Sequence, residues 1–253
     1  MLRILFLLLI ELLFAQVPPS FTGAYPTYIA HAGGAIGTLT YTSSLEAFNE
    51  NYKKNFRFFE TDVETTSDNV LVLLHDWDYS IEHFYHTTPK VYSLQEFKKL
   101  KLQKNLTQLT WGELAAWTKK HPDVHIIIDT KRNTLSVLEQ INKETPEIQA
   151  QLIPQIYVFS EYEAVKKIGY EKIILTLYAS DYKDKEVIKF VDNHRLWAVT
   201  MPLERAEKGT LASNLKKMSI PSYTHTVNSS TVKENLEKKG IFGFYTDFLH
   251  PGM

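Results

Sequence analysis

Glu60-Thr61-Asp62 closes an apolar run that begins at Phe56, and residues two apart on a strand point to the same side. Both carboxylates therefore follow Phe56 and Phe58 on one face. Asp129 ends a second such run, Ile126-Ile127-Ile128-Asp129, with Lys131 two residues on. Carboxylates at the ends of buried strands cannot all stay ionised without a partner. Two remedies are open: salt bridges to Lys131 and neighbouring cations, or a bound metal. For a metal, an all-oxygen set without cysteine suits a hard divalent ion, Mg²⁺ or Ca²⁺.

Two imidazoles reach the same place by separate routes. His31 ends the first apolar run and is followed by Gly33-Gly34, small residues that let a ligand come close to the backbone. His75 ends Val70-Leu71-Val72-Leu73-Leu74-His75. Only six residues separate Val63 from Val70, too few for a parallel crossover, so these strands form an antiparallel hairpin. A tight turn at Asp68-Asn69 places His75 opposite Asp62. A His pair converging on carboxylates offers a general base and a general acid near neutral pH.

The elements that must position these groups alternate. Nine apolar runs, starting at Tyr28, Phe56, Val70, His125, Leu152, Lys172, Leu196, Ile220 and Ile241, are separated by helical patterns. Ser/Thr-x-x-Glu boxes at Ser43/Glu46, Ser93/Glu96, Thr110/Glu113 and Ser160/Glu163 mark helix starts. Removing the hairpin return leaves eight alternating strands. That number fits a (β/α)8 TIM barrel, whose usual length is about 250 residues, with a β-hairpin after the second strand. The aromatic-rich stretch from Asp76 to Asp123 is a long loop insertion of the kind that covers active sites.

The chain has 253 residues, 44% hydrophobic and 23% charged, enough for a core and against disorder. Lys plus Arg total 28 against 29 acidic residues, a net charge of -1, so the basic surplus of a nucleic-acid binder is missing. Zero cysteines exclude thiolate metal sites and cysteine nucleophiles. Met1–Ala15, with Arg3 before a short apolar run and Ala15 at its end, reads as a signal peptide, too short for the roughly 20 residues of a membrane span. Residues 16–253 then form a single domain, exported to the periplasm or secreted. Asn105-Leu106-Thr107 and Asn228-Ser229-Ser230 match the glycosylation acceptor pattern, and the second is set aside because it falls at the expected pocket.

His31-Ala32-Gly33-Gly34, Ser44-Leu45-Glu46-Ala47-Phe48, Phe59-Glu60-Thr61-Asp62-Val63, Leu73-Leu74-His75-Asp76, Asp129-Thr130-Lys131, His225-Thr226-Val227-Asn228 and Gly243-Phe244-Tyr245-Thr246-Asp247 occur in the order seen in the glycerophosphodiester phosphodiesterase family, which the chain resembles. The resemblance implies a TIM barrel that cleaves a small-molecule phosphodiester with one divalent cation. It implies metal ligands Glu60, Asp62 and Asp129, acid–base residues His31 and His75, and phosphate or substrate contacts from Lys131, Gly33 and His225. Three positions depart from the family: Ala32 stands where Arg is common, Asp129 where Glu is common, and His225 where Trp is usual. They bear on the substrate more than on the chemistry. A phospholipase acting on membrane lipids, with exposed apolar rings in the Trp77–Tyr85 segment and peripheral membrane contact, is one alternative. A non-catalytic exported binding barrel is the other.

Overall fold

A computed structural model describes residues 25–252; the leader lies outside the described residues. The strands are β1 (Tyr28–Ala30), β2 (Phe58–Thr65), β3 (Leu71–Leu73), β4 (His125–Asp129), β5 (Leu152–Ile156), β6 (Ile174–Thr176), β7 (Ala198–Pro202), β8 (Ser222–His225) and β9 (Gly243–Thr246). All but β3 are parallel neighbours in one sheet, which closes because Ala30 of β1 faces both Phe59 of β2 and Thr246 of β9. Helices between the strands cover the outside, so the chain is a TIM barrel with eight parallel strands.

Burial on both faces explains the continuous apolar runs. Alternate residues fill the barrel: Ile29, Phe58, Ile127, Ile153, Trp197 and Tyr223 pack together inside. Their neighbours Phe59, Ile126, Ile128 and Val199 face the helices in a separate, larger core. Phe58 shares the inner side with Glu60 and Asp62, as period two requires. Phe56 does not. It precedes the strand and packs in the outer layer, 6.2 Å from Phe59 between ring centroids.

The hairpin is present, with a register one residue different from the sequence expectation. Val63 faces Leu73, Glu64 faces Val72 and Thr65 faces Leu71. The turn has three residues, closed by Thr66 N–H donating to Val70 O at 2.9 Å, with Asn69 at φ 61°. Asparagine tolerates this left-handed conformation, which favours the three-residue loop over the two-residue one. Thr66 Oγ1 reinforces it, accepting from Val70 N at 2.8 Å and donating to Asp68 at 2.7 Å. Asp62 and His75 are consequently not cross-strand partners; Asp62 O instead accepts from Leu74 N–H at 3.3 Å.

Two of the four helix boxes form as expected, at Ser93/Glu96 and Thr110/Glu113. The helix Leu45–Lys53 is capped by Ser44 rather than Ser43, and Glu46 instead accepts from Thr107 N–H and O–H, both at 2.8 Å. At Glu161–Ile168, Ser160 makes no capping bond; Glu161 accepts from the Tyr157 and Val158 amides.

The insertion after β3 is folded around its own core. Trp77, Ile81, Tyr85, Tyr92 and Phe97 pack with Val72 and Leu74 of the hairpin return. Leu109 O accepts from Leu73 N–H at 2.9 Å, so the insertion also covers the free edge of β3. The rings expected at the surface are largely inside: Trp77 and Tyr85 are each 7% exposed, and only Tyr79 lies open. No helix among the described residues is long and apolar enough to cross a membrane.

Candidate active site

The C-terminal ends of the parallel strands gather the groups singled out above. Glu60, Asp62 and Asp129 are buried, and one oxygen from each falls within 4.8 Å of the others. Parity explains this: β2 and β4 run side by side with Asp62 facing Asp129 in register. Burial, then the neighbouring Asp62 charge, pushes the Glu60 carboxyl up to about 8 and Asp129 up to about 6. Glu60 accepts from the Ala32 amide at 2.8 Å, and Asp129 from the Tyr157 hydroxyl at 2.7 Å. Lys131 Nζ meets Asp62 Oδ1 at 2.5 Å and His75 O at 3.3 Å. Burial works to lower this ammonium, but Asp62 and Asp129 outweigh it and hold it above its ordinary range.

One lysine cannot neutralise three buried carboxylates. The protein's own answer is to leave two of them reluctant to ionise. The donor set, three hard oxygens converging without cysteine or histidine, fits a divalent cation such as Mg²⁺ or Ca²⁺.

Each imidazole is anchored by a carboxylate. His31 Nδ1 lies 3.1 Å from Asp247 Oδ1, and Asp247 Oδ2 accepts from Asn228 Nδ2 at 2.8 Å. His75 Nδ1 lies 2.5 Å from Asp76 Oδ2, while Asp76 Oδ1 accepts the amides of Asp78 and Ser80. With Nδ1–H donated to the carboxylate, Nε2 of each ring is the atom left for chemistry. Burial pulls His31 downward, but the Asp247 hydrogen bond and the charges of Glu60 and Asp62 outweigh it, and the net shift is upward. Tyr41 stands edge-on to both rings, 4.5 Å from His31 and 5.4 Å from His75 between centroids.

The glycine pair after His31 answers to the backbone. Gly33 and Gly34 adopt φ of 81° and 85°, and a Cβ on Gly34 would sit 2.5 Å from Asn51 Nδ2. Asn51 needs that approach, since its amide donates to the carbonyls of Gly33, Ala35 and Ala47. His225 ends β8 with its ring 5.6 Å from His31 and 3.8 Å from Tyr178. Burial, then the nearby His31 and Lys131 charges, holds it well below the usual imidazole range, so it is neutral and adds no positive charge for a phosphate. Its Nε2 is buried and makes no hydrogen bond.

All of the sequence-derived residues except Gly33, which contributes backbone alone, thus bring side chains to one end of the barrel. Sequence reasoning did not assign roles to Asp76, Asp247, Asn228, Tyr157 or Tyr41. Asp76 and Asp247 each close a quoted motif, so the signal was an acid beside each element carrying a histidine or facing one. Asn228 fits as a structural ligand of Asp247 rather than as a glycosylation acceptor.

Comparison with known proteins bears on the family and the fold. The model of the glycerophosphoryl diester phosphodiesterase family matches residues 33–250. No curated protein matches the chain. Among solved structures, a glycerophosphodiester phosphodiesterase from Thermotoga maritima is 21% identical with a TM-score of 0.71, covering 89% of this chain and 96% of that one. A putative glycerophosphodiester phosphodiesterase from Galdieria sulphuraria is 13% identical with a TM-score of 0.72 over 88% and 94%. A phosphodiesterase from Oleispira antarctica, solved with the product sn-glycerol-3-phosphate, is 15% identical with a TM-score of 0.66 over 88% and 93%. With the family model covering nearly all of the described barrel, the chain belongs to the glycerophosphoryl diester phosphodiesterase family.

Proposed function

We propose that this chain is a metal-dependent hydrolase that cleaves small glycerophosphodiesters by His31/His75 acid–base catalysis. The observation that carries the reading is the convergence of three buried carboxylates, within 4.8 Å, with two imidazoles each anchored by an aspartate. Glu60, Asp62 and Asp129 hold one divalent cation, Mg²⁺ or Ca²⁺. When bound, such an ion neutralises charge on the phosphate oxygens and orients the diester.

The protein's own groups do the rest. Lys131 binds a non-bridging phosphate oxygen, with the backbone at Gly33 closing that side. His225 forms an uncharged wall beside the reacting atoms. One imidazole takes the proton from the attacking hydroxyl as the new P–O bond forms. The other gives its proton to the departing alkoxide as the old P–O bond breaks. Asp247 and Asp76 keep Nδ1–H of each ring occupied, which fixes the orientation of Nε2.

A panel of soluble glycerophosphodiesters assayed with Mg²⁺, Ca²⁺ and chelator tests the reading. Turnover that requires a divalent ion is expected; turnover indifferent to chelator sinks the metal assignment. Export through Met1–Ala15 belongs to the same proposal, because the apolar run ends at Ala15. N-terminal sequencing of protein from expressing cells should then begin at Gln16, and an intact Met1 would oppose it.

A further inference from the structure

Beside the site, a cleft of about 170 Å³ opens at the barrel mouth. Three elements that carry site residues run directly into it. Glu64 is the next residue after Asp62 on the same side of β2, Arg132 follows Lys131, and Asp76 follows His75. A diester seated on Lys131 with an ester oxygen at His75 therefore has one substituent directed toward this cleft. Its size admits a small polar group and no acyl chain.

The charges on its lining divide into two sets. Lys90 is engaged by Glu96 at 2.9 Å, and Asp76 by His75. Arg132, Asp78 and Glu64 form no ion pair among the described residues, although all three border the same small space. The Arg132 charge acts on Glu64 across the cleft, and the Glu64 carboxylate also accepts the Thr65 amide. With no direct ion pair, the guanidinium fork and the Asp78 carboxylate keep their hydrogen-bonding capacity for a ligand. A guanidinium presents a fork of donors that matches a carboxylate, and a carboxylate accepts from an ammonium.

We propose, resting on the phosphodiesterase reading above, that this cleft selects diesters whose second alcohol is zwitterionic, with its carboxylate on Arg132 and its ammonium on Asp78 and Glu64. Glycerophosphoserine has that chemistry. Glycerophosphoethanolamine has only the ammonium, and glycerophosphoglycerol has neither charge.

The test compares kcat/KM on these three esters for the unaltered enzyme and for Arg132→Ala and Asp78→Asn. Arg132→Ala should lower kcat/KM on the serine ester about fivefold or more and leave the other two within twofold, since about 1 kcal/mol is a fivefold change. Asp78→Asn should lower the serine and ethanolamine esters and spare the glycerol ester. Equal losses on all three esters, or an unchanged serine ester in Arg132→Ala, would overturn the cleft. Calorimetric binding of the same esters to His31→Ala separates the two proposals. Selective, Arg132-dependent binding without turnover by the unaltered enzyme supports the cleft and overturns the reaction. Turnover of all three esters indifferent to Arg132→Ala does the reverse.

Discussion

His31 and His75 differ from the other histidines in having a carboxylate on Nδ1 and a cluster of acids within reach. If they exchange protons with the substrate, His31→Ala and His75→Ala should each lower kcat by about two orders of magnitude or more while the circular dichroism spectrum stays native. Near-normal turnover in either variant would remove that histidine from the chemistry. Asp247 acts one step back, through His31. Asp247→Asn keeps the shape but removes the charge that raises the imidazole, so kcat should fall tenfold or more and the pH profile should move. A proportionate drop in folded protein with an unmoved profile would mark Asp247 as merely structural. The side chains of the site were legible from type and spacing, because period two puts Glu60 and Asp62 on one side whatever the rest of the chain does. The partner of His31 was not, because Asp247 lies 216 residues from it and meets it only when β9 closes against β1, whereas Asp76 simply follows His75.

At the scale of elements, the turn after β1 is the part most dependent on its neighbours. Gly34 is held at φ 85° against the Asn51 amide, which in turn bonds three buried carbonyls. Gly34→Ala adds both left-handed strain and a collision, and should destabilise by about 3 kcal/mol in urea titrations. A loss under about 0.5 kcal/mol would show that Asn51 can give way. Hairpin and helix placement followed from local signals, yet their registers did not. The step from a two- to a three-residue turn was decided by Asn69 and by Thr66, whose hydroxyl serves both Val70 and Asp68. Likewise Glu46, three residues after Ser43, serves Thr107 of the insertion instead of its own helix. Local motifs specify what a side chain could bond, and packing chooses among the partners available.

Across the whole molecule, the net charge of -1 averages over a buried acidic site. Its titration should be visible in stability. Glu60 and Asp129 have folded values of about 8 and about 6, above their ordinary 4.5 and 3.8, so the folded chain binds more protons than the unfolded one between those limits. Their contribution is present at low pH and lost as pH rises through about 6 and about 8. His125, held down to about 4 by burial and by Lys172, works in the opposite sense, but only below its ordinary 6.5. In chelator, the Tm should therefore fall from pH 6.5 to 8.5. A divalent ion at a hundredfold excess over its Kd should restore about 2.7 kcal/mol, roughly 5–10 °C in Tm, and should do so more at pH 8.5 than at pH 6.5. A Tm in scanning calorimetry that rises with pH in chelator would contradict the buried-acid account.

What the sequence by itself determined is what strand and helix periods can carry: the alternation of elements, the barrel, the antiparallel hairpin, and the residue types at the strand ends. These depend on spacing of a few residues and on the burial of both faces of each parallel strand. Only the tertiary structure decided which acid orients which histidine, that Lys131 reaches across from β4 to Asp62, that the aromatic insertion turns its rings inward onto β3, and that Arg132 and Asp78 border one cleft. Apart from the neighbours His75 and Asp76, these pairings join residues far apart in the chain. Closure of the sheet brings them together, and no local pattern encodes a distance that depends on closure.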